Sequence, residues 1–408
     1  MSPPSFHLLA KPTGSACNLD CKYCFFLSKE TLYPGSKFRM TDDVLESYIR
    51  QLLGAQPGPD AYISWQGGEP TLMGIAFFER SVSLASKYRK PGQRIVHTIQ
   101  TNGILIDDEW ARFLARNRFL VGLSLDGPKE MHDAYRVAKG GRGTFDPVMR
   151  AWECLRRHDV DVNILCTVHA ANQHHGRQVY TFFRDEMRAS HLQFIPIVER
   201  VTPDLIRHAN LGWSEKAGGR RPFYRQEGNL VTERSVAAEA YGDFLIAVFD
   251  EWVGRDVGKV FVQAFDSALA SWLGHSTLCI FSPTCGNALA LEHNGDLYAC
   301  DHYVEPEFLL GNIKFQPMLD LMESPRQRQF GSSKFESLPN QCRSCDVLFA
   351  CYGECPRNRF LKTPDGEPGL NYLCAGYQKF FRHIDKPMQR MASLLRSGRF
   401  ADEIMGSR

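Results

Sequence analysis

The sequence predicts an α/β protein with a parallel sheet, followed by a smaller cysteine-rich domain. In the first half of the 408-residue chain, short apolar runs alternate with amphipathic segments of helical period. Hydrophobic residues make up 43% of the chain, enough for one large core and a second, smaller one. Eight of the thirteen cysteines lie between residues 279 and 374, so the last third differs in composition.

Six apolar runs are strand candidates. Each is short, rich in β-branched or large apolar residues, and followed by a polar or Gly-containing loop. Strands joined by crossover helices form a parallel sheet, and periodicity leaves open whether this sheet is flat or curled into a partial barrel. The runs are Phe6–Lys11, Tyr62–Trp65, Val96–Gln100, Leu120–Leu125, Val162–Val168 and Leu192–Val198.

Helices are predicted between these strands. Thr41 is a candidate N-cap for the first, and Asp107 and Asp108 suit the N-terminus of the second. The predicted spans are Asp43–Leu53, Glu109–Ala115 and Asn172–Met187.

Residues 201–235 break the alternation. Lys216–Pro222 carries two glycines and two arginines and is predicted to be a solvated loop. A helix from about Ser235 to Trp252 leads into the cysteine-rich part. We therefore expect one domain over residues 1–235 and a second over residues 236–408.

The charge balance excludes some classes of partner. Lys and Arg number 48 and Asp and Glu 46, so no overall basic field points to nucleic acid. No apolar run is long enough to span a membrane, and the N-terminus lacks the pattern of a signal peptide. A cytoplasmic protein without a membrane partner is predicted. In a reducing compartment, spaced cysteines indicate metal ligands rather than disulfides.

A CxxxCxxC element follows the first predicted strand and comprises Cys17, Cys21 and Cys24. Three thiolates on one loop can bind three irons of a 4Fe–4S cluster, whereas structural clusters use four cysteines. The open iron could chelate S-adenosylmethionine, whose reductive cleavage yields a 5′-deoxyadenosyl radical. A zinc loop is the alternative. It needs a fourth ligand, and the nearest candidate, His7, lies ten residues before Cys17.

A second loop of interest follows the second strand. In Gln66-Gly67-Gly68-Glu69-Pro70, paired glycines permit close approach of the backbone to a ligand, and Glu69 could accept a hydrogen bond from an ammonium group. Ser124, near the end of the fourth strand, could meet a ribose hydroxyl, and Arg136 could pair with a carboxylate.

These motifs resemble the radical S-adenosylmethionine superfamily and, within it, the anaerobic sulfatase-maturating enzymes. The resemblance implies a partial (β/α)6 barrel followed by a SPASM domain with two auxiliary iron–sulfur clusters. It extends over nearly the whole chain and includes SWQGGEPTLMG (64–74), QTNGILID (100–107), VGLSLDGPKEMHD (121–133), LEHNGDLYACDHYV (291–304) and LGNI (310–313).

The resemblance also implies roles for individual residues. Phe26 stands where relatives can carry tyrosine, so one hydroxyl is missing beside the expected site. Asp301, directly after Cys300, corresponds to the residue that accepts the proton of the substrate; without the resemblance, it could equally orient backbone amides. The residues expected to contact S-adenosylmethionine are Tyr23, Gln66, Gly67, Gly68, Glu69, Ser124, Arg136 and Val198.

The eight C-terminal cysteines fit two four-cysteine sites. Their spacing distinguishes neither zinc from iron–sulfur nor which four belong together. The resemblance implies two 4Fe–4S clusters. Cys279, Cys285, Cys300 and Cys355 would hold the first, and Cys342, Cys345, Cys351 and Cys374 the second. The remaining cysteines, Cys154 and Cys166, are predicted to be core residues.

The activity implied is oxidation of a Cys or Ser side chain in a sulfatase to Cα-formylglycine. The expected partners are a sulfatase with a Cys/Ser-x-Pro/Ala-x-Arg motif and a low-potential electron donor such as flavodoxin or ferredoxin. One alternative is a SPASM-type maturase that forms thioether or carbon–carbon crosslinks. Such enzymes often have a peptide-binding domain before the barrel, and Cys17 lies too early for one. Another alternative is a non-catalytic electron carrier or zinc scaffold, which would need neither the open cluster loop nor Gln66–Pro70.

Overall fold

The predicted strands form the centre of one ten-stranded sheet. A computed structural model describes residues 6–216 and 221–406. In the sheet the order is β12-β11-β10-β1-β2-β3-β4-β5-β6-β9, and neighbours from β10 through β1 to β9 are parallel. The first six strands are β1 (His7–Lys11), β2 (Asp60–Trp65), β3 (Arg94–Thr101), β4 (Phe119–Ser124), β5 (Asp161–Val168) and β6 (His191–Pro196).

Each predicted strand is confirmed to within two residues at either end. The parallel register brings the C-terminal ends of neighbouring strands together, since Ala10 pairs with Trp65 and Trp65 with Ile99. In a parallel α/β sheet this edge is where functional side chains gather. The sheet prediction therefore also predicts the location of the site.

Helices cover the outer face of the sheet. Aromatic residues fill the layer between them, with Trp65 of β2 in edge contact with Phe78 and Phe78 with Trp110. Burial of such large apolar surfaces is the main stabilising contribution to this layer. The first helices are α1 (Asp42–Ala55), α2 (Ile75–Tyr88), α3 (Asp108–Arg116), α4 (Lys129–Asp133), α5 (Phe145–Arg157) and α6 (Gly176–Thr181).

The helix predicted over Asn172–Met187 begins later than expected. Asn172 is occupied in a turn, where its side-chain oxygen accepts from the backbone N–H of His169. This local hydrogen bond competes with helix formation, so α6 starts at Gly176. The last turn, Phe182–Glu186, is a π-helix. The predicted helix after the boundary is α8 and covers Ala238–Arg255, so it begins and ends three residues later than predicted.

The cysteine-rich half continues the same sheet, because β10 pairs in parallel with β1. Two short strands, β7 (Arg200–Val201) and β8 (Leu230–Val231), and the helix α7 (Ile206–Leu211) lie before the predicted domain boundary. The strands after it are β9 (Phe261–Val262), β10 (Ala288–Glu292), β11 (Asp296–Tyr298), β12 (Leu309–Asn312), β13 (Leu361–Lys362) and β14 (Pro368–Leu370). The helices after it are α8, α9 (Gln263–Trp272), α10 (Met318–Met322), α11 (Pro325–Glu336), α12 (Asn340–Arg343), α13 (Leu348–Cys351) and α14 (Cys374–Arg396).

The two longest helices, α8 and α14, cross at a pair of glycines. A Cβ added to Gly242 would lie 2.5 Å from the carbonyl oxygen of Gly376, and one added to Gly376 would lie 2.0 Å from that of Ala238. The absence of side chains therefore permits this close approach. The crossing attaches the C-terminal helix to the helix that follows the barrel strands.

The residues on either side of the predicted solvated loop are packed. Lys216–Pro222 lies partly outside the described residues, but its flanks bury Trp213 and Tyr224, whose ring centroids are 4.6 Å apart. The indole of Trp213 donates to Glu199, which also pairs with the buried Arg234. The loop prediction rested on the glycines and arginines at its centre, so the packing of the flanking aromatic residues was not predicted. In the described part of the chain, no helix is both long enough and apolar enough to cross a membrane.

Asp266 in α9 is expected to make stability depend on pH. Burial raises the pKa of its carboxyl from 3.8 to about 6, although its oxygen accepts from the backbone N–H of Val262, 3.1 Å away. Well below pH 3.8 the carboxyl is protonated in both states. Between pH 3.8 and about 6 it ionises in the unfolded chain but stays protonated in the fold, so stability falls over this range and then remains constant. Asp266→Asn should therefore raise the melting temperature by about 2 °C at pH 8 and leave it nearly unchanged near pH 3. An equal shift at both pH values would contradict this origin.

Candidate active site

A cavity of about 350 Å³ lies at the C-terminal ends of the barrel strands. Its wall includes the ends of β1, β3, β4, β5 and β6, together with the loop after β2. Segments of the cysteine-rich half close its other side, contributing Ile280, Asp301, His302 and Arg357. The site therefore combines both halves of the chain. Of the predicted site residues, the cavity is lined by Cys17, Cys21, Tyr23, Cys24, Gln66, Gly67, Gly68, Glu69, Ser124, Arg136, Val198 and Asp301.

The three cysteines of the first loop face this cavity together. Two backbone hydrogen bonds hold the loop, from Asp20 N–H to the carbonyl of Val137 and from Lys22 N–H to that of Tyr135, both 2.9 Å. Burial raises the pKa of the Cys21 thiol to about 12, although the Arg136 guanidinium opposes the shift. Thiols this far from ionisation become thiolates only when a positively charged metal centre binds them. The loop therefore fits an iron–sulfur cluster.

The glycine pair after β2 allows the backbone to come close to the cluster loop. Gly67 and Gly68 have φ angles of +85° and +52°. A Cβ at Gly68 would lie 2.2 Å from the carbonyl oxygen of Ala16, one residue before Cys17. At Gly67 it would lie 2.7 Å from Cγ of Lys11. Neither position has room for a side chain.

Gly68→Ala is expected to displace the cluster loop, because the added methyl group meets backbone rather than a movable side chain. We expect roughly tenfold weaker binding of S-adenosylmethionine, about 1.4 kcal/mol, measured by equilibrium dialysis of the reconstituted protein. Gly74→Ala is the matched control, since Gly74 has a similar φ of +80° but nothing within 4 Å of its added Cβ. Equal losses in the two variants would attribute the effect to backbone strain.

The Glu69 carboxylate holds the loop after β2 in place through hydrogen bonds. Its Oε1 accepts from the backbone N–H and hydroxyl of Thr71 and from the hydroxyl of Thr101, and its Oε2 accepts from the backbone N–H of Asn102 at 2.8 Å. Burial raises the pKa of this carboxyl, and these hydrogen bonds oppose the rise. Glu69 thus ties the loops after β2 and β3 together, and its Oε2 has a lone pair left for the predicted ammonium group.

Tyr23 and Arg136 both donate hydrogen bonds to the carboxylate of Asp126, which was not among the residues predicted from the motifs. The Tyr23 hydroxyl donates to Asp126 at 2.6 Å, and the Arg136 guanidinium donates to both oxygens of Asp126 at 2.8 and 3.1 Å. Burial would raise the pKa of Asp126, but Arg136 holds it well below its usual value. The predicted carboxylate partner of Arg136 therefore belongs to the protein. Asp126 lies inside the stretch 121–133, and this position was the available signal.

Asp301 lies on the opposite wall beside a buried lysine. Lys11, at the end of β1, forms an ion pair with it, and the Lys11 ammonium lies 4.2 Å from the centre of the Phe26 ring. Side-chain exposures are 1% for Lys11 and 17% for Asp301. Burial alone would raise the pKa of the carboxyl, but the Lys11 ammonium outweighs it and lowers this pKa below the usual value. Asp301 therefore presents a carboxylate, paired with a buried ammonium, to the cavity.

The first C-terminal cysteine set consists of Cys279, Cys285, Cys300 and Cys355, and Cys300 directly precedes Asp301 in the chain. Burial raises the pKa of the thiols of Cys285, Cys300 and Cys355, and each is close enough to Cys279 for its negative charge to raise the pKa further. The imidazole Nδ1 of His302 lies 3.5 Å from Sγ of Cys355. The structure thus brings this set together, as the resemblance implied.

The second set lines a small pocket of its own. Burial raises the pKa of the Cys351 thiol to about 12 and that of Cys374 to about 11, and neighbouring thiolates add to both shifts. The amide of Gln378 lies 3.6 Å from Sγ of Cys345. The pocket wall includes Cys342, Cys345, Cys351 and Cys374. Four thiols around one space, one buried and three half-buried, fit a cluster. Cys154 and Cys166 are buried apart from both sets, as predicted.

Two further residues of the cavity wall, Lys11 and Arg357, were not predicted from the sequence. Lys11 was predicted only as the last residue of a strand. Its charge can be buried because it pairs with Asp301, nearly three hundred residues further along the chain. Arg357 lines the cavity and donates to the carbonyl of Val198 at 3.2 Å. No local pattern marks either residue, because the halves of the chain meet only in the fold.

Comparison with known families matches both parts of the chain. Residues 12–181 match the family model of the radical SAM superfamily, and residues 279–346 match that of an iron–sulfur cluster-binding domain, SPASM. The two matches contain the three N-terminal cysteines and five of the eight C-terminal ones.

Relatives match over nearly the full length. A serine-type anaerobic sulfatase-maturating enzyme of Bacteroides thetaiotaomicron is 42% identical and covers 98% of this chain and 94% of its own. A cysteine-type enzyme of Clostridium perfringens is 35% identical, over 93% of this chain and 96% of its own. The solved structure of native anSMEcpe with bound AdoMet superimposes with a TM-score of 0.81 at 34% identity, covering 95% of this chain and 99% of the other.

Proposed function

We propose a substrate and residue roles from the premise that the chain belongs to the anaerobic sulfatase-maturating enzymes, radical S-adenosylmethionine enzymes that convert Cys or Ser to Cα-formylglycine. The proposed substrate is a serine in a sulfatase, within a Ser-x-Pro/Ala-x-Arg motif. The serine-type relative from Bacteroides supports this choice, because it is more similar to this chain than the cysteine-type relative from Clostridium. Cysteine in the same motif is the second candidate.

The cavity supports the proposed cofactor set. Cys17, Cys21 and Cys24 would hold the radical cluster, and S-adenosylmethionine would lie among Tyr23, Gly68, Ser124, Arg136 and Val198. The backbone of Gln66 and Gly67 and the free lone pair of Glu69 would complete its surroundings. Both C-terminal cysteine sets would hold 4Fe–4S clusters. When bound, S-adenosylmethionine with its cluster supplies the acceptor for a hydrogen atom of the substrate Cβ, and the auxiliary clusters supply the acceptor for one electron.

The chain's own residues account for the remaining proton. Oxidation of a serine side chain to the aldehyde removes one hydrogen atom, one proton and one electron. Asp301 would accept the hydroxyl proton, since its carboxylate faces the cavity and Lys11 keeps it ionised. Lys11 also belongs to the cavity wall, but its ammonium group is held by the Asp301 carboxylate and the Phe26 ring. The position of the Asp301 carboxylate, in the cavity wall and paired with the buried Lys11 ammonium, is the single observation that carries this role.

The test is anaerobic mass spectrometry of matched peptides. The reconstituted, reduced enzyme is mixed with S-adenosylmethionine and peptides that differ only in carrying Ser or Cys at the target position. Formylglycine in the serine peptide, with 5′-deoxyadenosine released, is the expected result. Conversion of the cysteine peptide alone would overturn the serine assignment. Release of 5′-deoxyadenosine with neither peptide changed would overturn the substrate class and favour the crosslinking alternative.

Three further proposals concern the domain boundary, the electron donor and the cellular compartment. We propose that residues 1–235 form the catalytic domain and residues 236–408 the auxiliary cluster domain. We also propose a low-potential carrier such as flavodoxin or ferredoxin as electron donor, and the reducing cytoplasm as the compartment. Eleven cysteines proposed as metal ligands support this compartment, because they must remain thiols before clusters assemble.

A further inference from the structure

Lys334 is a buried cation beside the first auxiliary cysteine set. It lies in the last turn of α11 and is 0% exposed. Its ammonium group donates to the carbonyl oxygens of Cys279, Ile280 and Ser282, at 2.6, 2.8 and 2.5 Å. All three acceptors belong to one short loop that carries a proposed cluster ligand. Each N–H of the ammonium group thus has a hydrogen-bond acceptor, but none of the three acceptors carries a negative charge.

Among the described residues, no carboxylate forms an ion pair with this ammonium group. Within the described ranges, no acidic oxygen lies within 4.0 Å of the Lys334 ammonium. The buried acid of this region, Glu354, is instead bonded to Asn358 and Asn371. A second cation is also near, since the guanidinium of Arg359 donates to the backbone carbonyl of Lys334. A buried ammonium without an anion is costly, so a negative group of the assembled protein must lie near it.

The available anions are the proposed cluster ligands. The thiols whose negative form would stabilise the Lys334 ammonium are those of Cys279, Cys285 and Cys355. The helix also holds the other end of this loop, because the backbone N–H of Cys285 donates to the carbonyl of Gly331 at 3.2 Å. A 4Fe–4S centre held by four thiolates is anionic and gains one further negative charge on one-electron reduction. Lys334 is thus placed to interact with that change of charge.

We propose that Lys334 raises the reduction potential of the cluster held by Cys279, Cys285, Cys300 and Cys355. Its charge stabilises the reduced, more negative state over the oxidised one. The cluster thereby becomes a better acceptor for the electron that leaves the substrate, while the proton goes to Asp301 and the hydrogen atom to the cofactor. This inference rests on the cluster assignment of the proposed function and adds a positioning and tuning residue to it.

A purely structural role is the competing explanation, and the three carbonyl contacts would serve it equally. Charge and hydrogen bonding can be separated by substitution. Lys334→Gln retains a donor to the loop but loses the charge. Lys334→Arg retains both the charge and the donors. Lys362→Gln, at an exposed lysine of β13, is the matched control for loss of one positive charge.

The experiment is an anaerobic redox titration followed by electron paramagnetic resonance, with iron and sulfide counted in every protein. All variants carry Cys17→Ala, Cys21→Ala and Cys24→Ala, so that only auxiliary signals remain. The signal of interest is the one that Cys285→Ala abolishes. In Lys334→Gln its oxidised-to-reduced ratio at a given potential should rise about tenfold, a fall in midpoint of about 59 mV. In Lys334→Arg and Lys362→Gln we expect less than about a threefold change in that ratio.

Unchanged midpoints in a fully loaded Lys334→Gln protein would overturn the proposal. If Lys334→Gln fails to load this cluster, loading by Lys334→Arg supports charge compensation, and failure of both variants overturns it in favour of a structural clamp. No substrate is needed, so the peptide assay can fail without affecting this result. Absence of the signal from the parent protein with intact Lys334 would instead refute the cluster assignment itself.

Discussion

Asp301→Asn is expected to reduce formylglycine formation by about 10² to 10⁴-fold, the usual contribution of a positioned general base. Asparagine has nearly the same shape as aspartate but cannot accept the substrate proton. Lys11 loses its ionic partner, although the amide oxygen can still accept a hydrogen bond from it. The change lies outside the three cysteines and the glycine loop. Cleavage of S-adenosylmethionine should therefore continue.

The measurement is the ratio of formylglycine to 5′-deoxyadenosine in one anaerobic reaction. In the parent enzyme we expect the two products in similar amounts, and in Asp301→Asn we expect 5′-deoxyadenosine to exceed formylglycine greatly. Asp296→Asn, in β11 of the same sheet but outside the cavity lining, serves as the control. Iron content must match in all three proteins. Normal product formation by Asp301→Asn would remove Asp301 from the mechanism.

The barrel was predictable because its signals are local. Each strand is a short apolar run, and the chemistry-bearing residues follow directly after strand ends, as Gln66–Pro70 follows β2 and Ser124 ends β4. In a parallel sheet these ends converge, so local patterns together with one topological rule locate the cavity. The same reasoning explains why three cysteines on one loop could be assigned to one site from their spacing alone.

The closing wall of the cavity was not predictable in this way. Lys11, Asp301 and Arg357 come from distant parts of the chain, and their proximity depends on β10 pairing beside β1. Periodicity does not indicate that pairing. The grouping of the eight C-terminal cysteines has the same difficulty, since Cys355 joins Cys279 across the ligands of the other set. The motif resemblance supplied what spacing could not.

The sequence also predicted a carboxylate partner for Arg136, and in the structure this partner is Asp126. A buried arginine needs a fixed counter-charge, and Asp126 provides it with two hydrogen bonds. The Tyr23 hydroxyl binds the same carboxylate. The pair therefore shapes the wall beside Cys21, and contact with S-adenosylmethionine remains a prediction for Tyr23 and Arg136.

Lys11→Met is expected to remove most activity near neutral pH, about 10²-fold or more, by changing the protonation of Asp301. Methionine can fill the space beside Phe26 and Gly67 but carries no charge. Burial then raises the pKa of Asp301, and of the opposing charges only the Arg357 guanidinium remains. A larger fraction of the carboxyl is therefore protonated and cannot accept the substrate proton. Loss of the ion pair should also lower stability, by about 3 kcal/mol for a buried pair.

The pH profile distinguishes this cause from simple misfolding. Under the proposed role ionised Asp301 is the active form, and because Lys11 lowers its pKa in the parent enzyme we expect a flat rate through neutral pH. Raising that pKa in Lys11→Met should make the rate increase with pH and partly recover in alkaline buffer. Lys87→Met, which removes the lysine of an exposed ion pair with Glu46, should show the parent profile. A low, pH-independent rate in Lys11→Met at full iron content would show that Lys11 acts by packing alone, because only a change in the ionisation of Asp301 restores activity as protons are withdrawn.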